Sequence, residues 1–539
     1  MAKKEQMPMS RLIEYENASA KLSIEEKVGQ FFMPAAFIND TEEEIQAIER
    51  LIAEHKVGGL CFFHSRASAA TNYEGEKEII YNEQSFNTLK NLIQRYQRIS
   101  AYRLLIAIDA EWGLAMRVEN TPQYPYAITL GAMQEQYDLT YEVGKNIAHD
   151  CKQAGIHYNL SPVLDINNNP KNPVIGYRSF GEDKNKVTQH GIAYTKGMQD
   201  QGVLGSIKHF PGHGDTATDS HLGLPVILKS KEDLLNNELF PFMELVKEGV
   251  DSVMVGHLSI PALSNGKSDP SSLSKEMITG LLREEIGFKG VVISDALNMH
   301  AVSKHHPTKG ELEWLAFDAG NDILCFAEHT KEGIETIINN ASLEQIESAF
   351  ERIWRLKEKG IKFEASHKVE LIDPDELNRS IAQKSITRLG ELKNSISNVL
   401  GTSFVGITNQ KADDNYFFSN IQKRSSFSQF TFTTNSTTAI EKQMGADPKI
   451  LLALFPTKVS PKDAFGFNKQ EVEWINSLLH NQDVVLYLFG NPFALGLFDY
   501  ENAVSVIVAY QDFKVFQEVA ALHFFGEIEA IGKLPVKIK

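Results

Sequence analysis

Residues 208–225 read KHFPGHGDTATDSHLGLP and place Lys208, His209, His213, Asp215, Asp219 and His221 within fourteen positions. The preceding GVLGSI is an apolar β-type run, and Pro211, Gly212 and Gly214 break any regular continuation. The segment therefore reads as a strand end entering a long loop. Three readings suit it: a solvated polar loop, a metal site built from His and Asp, or acid–base chemistry. No HExxH pattern occurs in the chain, so the usual helical zinc signature is missing. The spacing favours acid–base chemistry. Asp219 and His221 stand two apart, so in extended backbone both side chains face one way. The carboxylate can then fix the imidazole tautomer and raise its basicity. Such a pair suits a group that gives a proton and later takes one back.

Three further segments carry candidate chemistry. In GVVISDALNM (290–299), Asp295 ends an apolar run. A carboxylate there is a nucleophile, a metal ligand or a helix cap, and Ser294 competes for the cap. In LLIAIDAEWGLAMR (104–117), Asp109 and Glu111 stand beside Trp112. An acidic pair next to an aromatic ring matches the hydroxyls and apolar face of a sugar, and equally two surface carboxylates beside a core Trp. In NPVIGYRSFGED (172–183), Arg178 lies between Gly176 and Gly181, where it can clamp a substrate oxygen or pair with Glu182. Several common signatures are absent. There is no GxxxxGK[ST] loop, since PALSNGKS (261–268) lacks the first Gly, no GxSxG elbow and no GxGxxG after a strand. Nucleotide hydrolysis, serine hydrolysis and nicotinamide binding lose their usual support.

The elements that must hold these residues recur regularly. Eight apolar runs occur: VGQFFM (28–33), VGGLCFF (57–63), LLIAIDA (104–110), GIHYNLSPVLDI (155–166), GVLGSIKHF (202–210), DSVMVGHL (251–258), GVVISDAL (290–297) and NDILCFA (321–327). Each is nearly continuous, as in a parallel sheet covered on both faces. Amphipathic helical patterns separate several of them, at 41–56, 82–100, 274–287 and 330–340. The first opens with Thr41 and has Glu44 three residues later, a capping-box spacing. The fold class is α/β: a (β/α)8 TIM-like barrel followed by a smaller α/β layered domain. An open doubly wound sheet is the alternative. The barrel is favoured because chemically capable residues close several separate runs, namely Asp109 with Glu111, Asp165, Lys208 with His209, His257 and Asp295. A barrel draws its site from many strand ends, whereas an open sheet concentrates it at one switch point. A helical run over 342–360 closes this region, with Gly360 as its expected stop. The expected organisation is an N-terminal extension (1–21), a catalytic barrel (22–360), a linker (361–376) and a C-terminal α/β domain (377–539). The segment 373–390 reads as helical, and 403–409, 449–456, 483–492 and 504–511 read as strands. The Ser-, Thr-, Asn- and Gln-rich stretch 410–447 has no clear pattern.

Composition sets the outer limits. The 539 residues are 42% hydrophobic and 23% charged, an ordinary globular balance. The net charge of −16 argues against duplex binding or a polybasic membrane surface. Cys61, Cys151 and Cys325 are too scattered for a zinc knuckle or a disulfide framework. No run of roughly 18 apolar residues predicts a membrane span. The N-terminal MAKKEQMPMSRLIEYENASAKLS lacks the apolar core of a signal peptide. As it stands the chain reads as cytoplasmic, and a periplasmic or otherwise exported protein relieved of its signal would read the same.

Taken together, KHFPGHGDTATDSHLGLP, IDAEWG, GYRSFGED and the strand ending SDAL resemble glycoside hydrolase family 3. More narrowly, the KHFPGHG…DSH signature resembles its NagZ-like β-N-acetylglucosaminidase branch. The resemblance covers about residues 22–360, and more loosely the C-terminal part ending in GKLPV (532–536). It implies a retaining double displacement. Asp295 would be the nucleophile forming a glycosyl–enzyme intermediate, with His221 the general acid/base and Asp219 its orienting partner. This departs from the usual pair of carboxylates about 5–5.5 Å apart in retaining glycosidases. Asp109, Arg117, Arg178, Lys208 and His209 would hold the sugar, while His213 and Asp215 would shape the loop. The implied ligand is a terminal β-linked N-acetylglucosamine, in particular on muropeptide fragments, with no cofactor and no metal. One departure stands out: Trp112 occupies the place of a family glycine in DAEWG and adds bulk near the sugar site. A β-glucosidase specificity, phosphate in place of water as acceptor, and a non-catalytic carbohydrate-binding protein are the alternatives.

Overall fold

The computed structural model describes residues 12–66, 80–216, 223–363, 370–390, 396–401, 403–434, 436–445 and 448–538. The chain divides into two units. The first takes Met1–Gln123, Tyr141–Ile166 and Gly191–Leu371, and the second takes Tyr124–Thr140, Asn167–His190 and Ile372–Lys539.

In the first unit each of the eight apolar runs carries a strand. They are β1 (Phe32–Met33) with β2 (Ala35–Phe37), β3 (Gly59–Phe63), β4 (Leu105–Ile108), β5 (Tyr158–Asn159), β6 (Leu204–Phe210), β7 (Ser252–Val255), β8 (Val291–Ser294) and β9 (Leu324–Cys325). The first run differs from expectation. Val28 and Gly29 belong to the helix Ile24–Gly29, which starts from a Ser23–Glu26 capping box. Pro34 then splits the extended part into β1 and β2, because it has no N–H to give to a ladder.

Strands β2 to β8 pair in chain order, and every pairing between them is parallel. A parallel bridge between Ile293 and Ile323 continues the ring to the β9 segment, and β9 pairs with β1. The sheet thus curls into a (β/α)8-like barrel. No reversal of strand order occurs within it, so the open doubly wound alternative does not apply. Outer helices begin where the sequence signals them. Thr41 caps Glu42–His55 through a capping box with Glu44, and Ser342 caps Leu343–Ile361 through one with Gln345. Gly360 does not stop that last helix, which runs on to Ile361. Its role is close approach, since a Cβ at Gly360 would lie 2.7 Å from Leu204 Cδ1.

The second unit is a six-stranded sheet: β10 (Thr387–Leu389), β11 (Phe404–Thr408), β12 (Ser428–Thr431), β13 (Lys449–Leu454), β14 (Val484–Leu488) and β15 (Ser505–Val508). Its order is β10-β15-β14-β13-β11-β12, parallel except for β10. The helix expected over 373–390 stops at Ser385, and Thr387–Leu389 turns back as the antiparallel edge. The ambiguous stretch holds helices Tyr416–Gln422 and Thr437–Met444 and the partly exposed edge strand β12. Ile128 and Ala132 pack into the same core as Ile450, Leu452, Val484 and Leu486. Gln511 Nε2 donates to Thr129 Oγ1 at 2.7 Å, and Lys533 N–H donates to the Ala132 carbonyl at 3.0 Å. Among the described residues no helix is long and apolar enough to cross a membrane.

Candidate active site

Strand β6 is buried along its whole length, yet it ends in Lys208, His209 and Phe210. In a regular strand, consecutive residues face opposite sides. The β6–β7 ladder shifts register between Ile207 and Phe210. That irregularity frees Lys208 and His209 from strict alternation.

Lys208 Nζ lies 2.7 Å from Asp109 Oδ1 and 2.8 Å from Glu111 Oε1. Asp109 and Glu111 follow β4 and are two residues apart, so one ammonium bridges both. Arg117 Nη2 reaches the other Asp109 oxygen at 3.3 Å. Burial pushes the Asp109 carboxyl up, but the neighbouring Lys208 and Arg117 charges outweigh it and hold the group below its ordinary value. Asp109 is therefore an anion at neutral pH, fitted to accept hydrogen bonds from hydroxyls.

His209 is held from behind by a group the sequence marked only as a strand end. Asp165 is fully buried. Its Oδ2 lies 2.7 Å from His209 Nδ1, and its Oδ1 accepts the N–H groups of His209 at 3.2 Å and His213 at 2.7 Å. This carboxylate fixes the His209 proton on Nδ1. Burial pushes Asp165 up, while the His209 charge and hydrogen bond and the His213 contacts lower it below the ordinary value. His213 is itself buried, which pushes its pKa down to about 4, so it stands neutral and bonds Thr216 Oγ1 at 2.8 Å.

Asp295 follows β8 and is half-buried. Its N–H donates to the Val255 carbonyl at 2.9 Å, and its Oδ1 accepts the Ala296 N–H at 2.8 Å. Next to it, His257 is buried between Ser272 Oγ at 2.7 Å and the Ala296 carbonyl at 3.0 Å. Cys61 in β3 and Cys325 in β9 carry buried thiols. Contact with Cys61, burial and the charges of Asp109 and Asp295 together push the Cys325 thiol well up.

The sequence-named residues fall into three groups. Asp109, Arg117 and Lys208 are in direct contact, and His209 and Asp295 occupy the same strand-end rim. Arg178 lies in the second unit, where its Nη1 reaches the Val174 carbonyl at 3.5 Å. Glu182, its suggested partner, accepts the Lys537 N–H at 3.0 Å. Asp219 and His221 lie outside the described residues. The chain on either side of them is anchored by Lys229, which pairs with Asp215 at 2.7 Å and with Glu238 at 2.6 Å. The sequence marks Glu111 as half of an acidic pair suited to sugar hydroxyls and Asp165 only as a strand end; a strand-end acid does not announce which cation or imidazole it will meet. Among the described residues no group of three or more His, Cys, Asp or Glu is placed to hold a metal.

Residues 23–356 match the model of the glycosyl hydrolase family 3 N-terminal domain. The chain belongs to glycosyl hydrolase family 3. Within that family it is similar to β-hexosaminidase A of Pseudoalteromonas piscicida, with 33% identity over 343 residues. That match takes 58% of this chain and 55% of the relative, so only about half of the relative's length is spanned. It is 32% identical over 291 residues to a β-hexosaminidase of Neisseria meningitidis serogroup B, covering 53% of this chain and 74% of the relative. The solved structure of a glycoside hydrolase family 3 β-N-acetylglucosaminidase from Paenibacillus sp. str. FPU-7 superposes with a TM-score of 0.77 at 28% identity. That likeness covers 96% of this chain and 99% of the other. A β-glucoside phosphorylase, BglX, shares the fold with a TM-score of 0.78 at 20% identity, over 100% of this chain and 99% of that one.

Proposed function

We propose that this chain is a retaining exo-β-N-acetylglucosaminidase that releases terminal β-linked N-acetylglucosamine, with muropeptide fragments as its substrate class. The observation that carries this reading is the Lys208–Asp109–Arg117 cluster on the same strand-end rim as Asp295. The full-length likeness to a family β-N-acetylglucosaminidase supports the choice of sugar.

In this reading the Asp109 carboxylate accepts hydroxyl protons of the sugar, Lys208 donates to its oxygens, and the His209 Nε2, its proton held on Nδ1 by Asp165, accepts from a hydroxyl. Asp295 attacks the anomeric carbon. The bond to the leaving oxygen breaks as His221 delivers a proton to that oxygen, giving a glycosyl–Asp295 ester. His221, now neutral, takes a proton from water. The hydroxide equivalent displaces Asp295 with a second inversion, so configuration is retained. Asp219 stabilises the His221 imidazolium before the first step and again as it re-forms in the second.

Hydrolysis of the p-nitrophenyl β-N-acetylglucosaminide tests the reading, with the corresponding glucoside as a comparison. Mass spectrometry of muropeptide digests, with and without phosphate, identifies the bond and the acceptor. A sugar 1-phosphate product would assign phosphorolysis in place of hydrolysis. A covalent 2-fluoro glycosyl adduct anywhere other than Asp295 would sink the nucleophile assignment.

A further inference from the structure

Three phenylalanines crowd the barrel mouth beside the Asp109–Arg117 pair. Phe37 ends β2, Phe63 ends β3, and Phe326 directly follows β9. These strands are neighbours around the ring, and all three rings stand at the C-terminal ends where barrel sites form. Phe63 and Phe326 meet edge to face, with centroids 5.4 Å apart at 74°. Phe326 meets Phe37 at 6.1 Å and 83°. Phe37 is buried and acts as backing, whereas Phe63 and Phe326 are only partly buried.

Two observations separate this corner from ordinary core packing. The Arg117 guanidinium lies over the Phe63 ring at 5.2 Å while its Nη2 holds Asp109 at 3.3 Å. The aromatic corner and the proposed sugar-binding carboxylate therefore share one side chain. Phe326 also has φ +54°, the left-handed region that bulky L residues rarely occupy. Its N–H still donates to the Met33 carbonyl at 2.9 Å, so the strand pairing reaches this residue before the chain turns. Glycine would take that conformation without steric cost. A ring kept at a strained position, partly exposed and packed on the ring that Arg117 covers, points to use of the ring itself.

We propose that Phe63 and Phe326 form the apolar wall of the sugar site and take an aliphatic C–H surface of the bound glycoside. This inference rests on the reading that Asp109, Lys208 and Arg117 hold a sugar. Phenyl rings offer no hydrogen bond, so they complement the non-polar parts of a ligand whose hydroxyls go to Asp109 and Lys208. Two parts of an N-acetylglucosaminide have this chemistry, the acyl methyl and the C–H face of the pyranose.

The test uses Phe326→Gly, Phe326→Tyr and Phe63→Leu in the full chain. It reads kcat and KM on p-nitrophenyl β-N-acetylglucosaminide and β-glucoside, together with the thermal midpoint. Phe326→Gly relieves the backbone conformation as it removes the ring, and the thermal midpoint separates any loss of folding from loss of binding. The expected result is a KM raised about three- to tenfold with a smaller change in kcat, and near wild-type values for Phe326→Tyr. A loss confined to the N-acetylglucosaminide assigns the wall to the acyl methyl, and an equal loss on both substrates assigns it to the pyranose face. Unchanged KM in all three variants overturns the wall, as does a loss that tracks the thermal midpoint and is not rescued by Phe326→Tyr. A wild-type chain inactive on every β-glycoside would instead sink the glycosidase reading, and the wall with it.

Discussion

At the N-terminal end of the barrel, Asp322 is buried and gripped from two sides, by Arg283 at 2.6 Å and Arg352 at 2.8 Å. It also accepts the Val292 N–H at 2.9 Å. Asp251, likewise buried, takes Lys359, the Gly205 N–H at 3.1 Å and Gln199 at 3.0 Å. At the C-terminal end, Asp109 and Glu111 share the single ammonium of Lys208, and Asp109 has Arg117 at the longer distance of 3.3 Å. The chemistry of the pairs is the same, but their sources differ. At the lower end several of the cations come from outer helices, as with Arg352 and Lys359 in Leu343–Ile361, so the pairs tie helices to the barrel. At the mouth Lys208 comes from the end of β6 and Arg117 from the loop after β4, and both converge on Asp109. Ionic pairs that join layers act as structure, and those that converge on a concave floor are disposed for a ligand.

The contrast is strongest at Asp295. Asp295→Asn is expected to lower kcat by on the order of 10⁴-fold while leaving the thermal midpoint within a few degrees; full activity would remove it from the chemistry. Asp322→Asn is the opposite case. It leaves Arg283 and Arg352 without their buried partner, so denaturant unfolding should show a loss of roughly 3–5 kcal/mol with kcat/KM unchanged in the folded fraction. A fall in kcat/KM with no loss of stability would erase the distinction between the two ends. Lys208→Met should reduce kcat/KM by roughly 100-fold, or about 2.7 kcal/mol of transition-state binding. Removing that charge also lets burial raise the Asp109 carboxyl, so the acidic limb of the pH–rate profile moves to higher pH.

The smallest effect concerns Lys357, whose ammonium is fully buried against Gln30 Oε1 at 2.7 Å and over the Trp354 ring. Burial pushes its pKa down to about 7. Between that value and the ordinary lysine value the unfolded chain binds more protons, so this group's contribution to stability grows as pH rises and is lost as pH falls through 7. Lys357→Met should therefore stabilise the chain by roughly 1–2 kcal/mol near neutral pH. The gap to wild type should narrow as pH approaches 10, and a widening gap would show that the charge is compensated.

Much of the frame was legible because a buried strand must be apolar along its length and a helix must start with a cap. The eight runs, Thr41 and Ser342 met those conditions locally. The misses have equally local causes. Gly360 looks like a stop because helix-ending glycines are common, yet its missing Cβ makes room for Leu204, which is distant in sequence. Thr387–Leu389 continues a helical pattern and becomes a strand only because β15 offers a free edge. In the second unit, the crevice between β11 and β13, where an open sheet can take a ligand, is bridged by Asn409. Its side chain exchanges hydrogen bonds with the Phe455 backbone at 2.7 and 2.8 Å. Nothing in the residue types foretold that pairing.

The sequence by itself determined the family, the barrel's strand runs and the segments that carry its chemistry, because those are set by residue type and short spacing. Tertiary structure alone decided that Lys208 bridges Asp109 and Glu111, that Asp165 stands behind His209, and that Phe63 and Phe326 meet beside Arg117. Closing the parallel sheet brings together strand ends separated by up to hundreds of residues, and no local pattern encodes which of them will be neighbours across the ring.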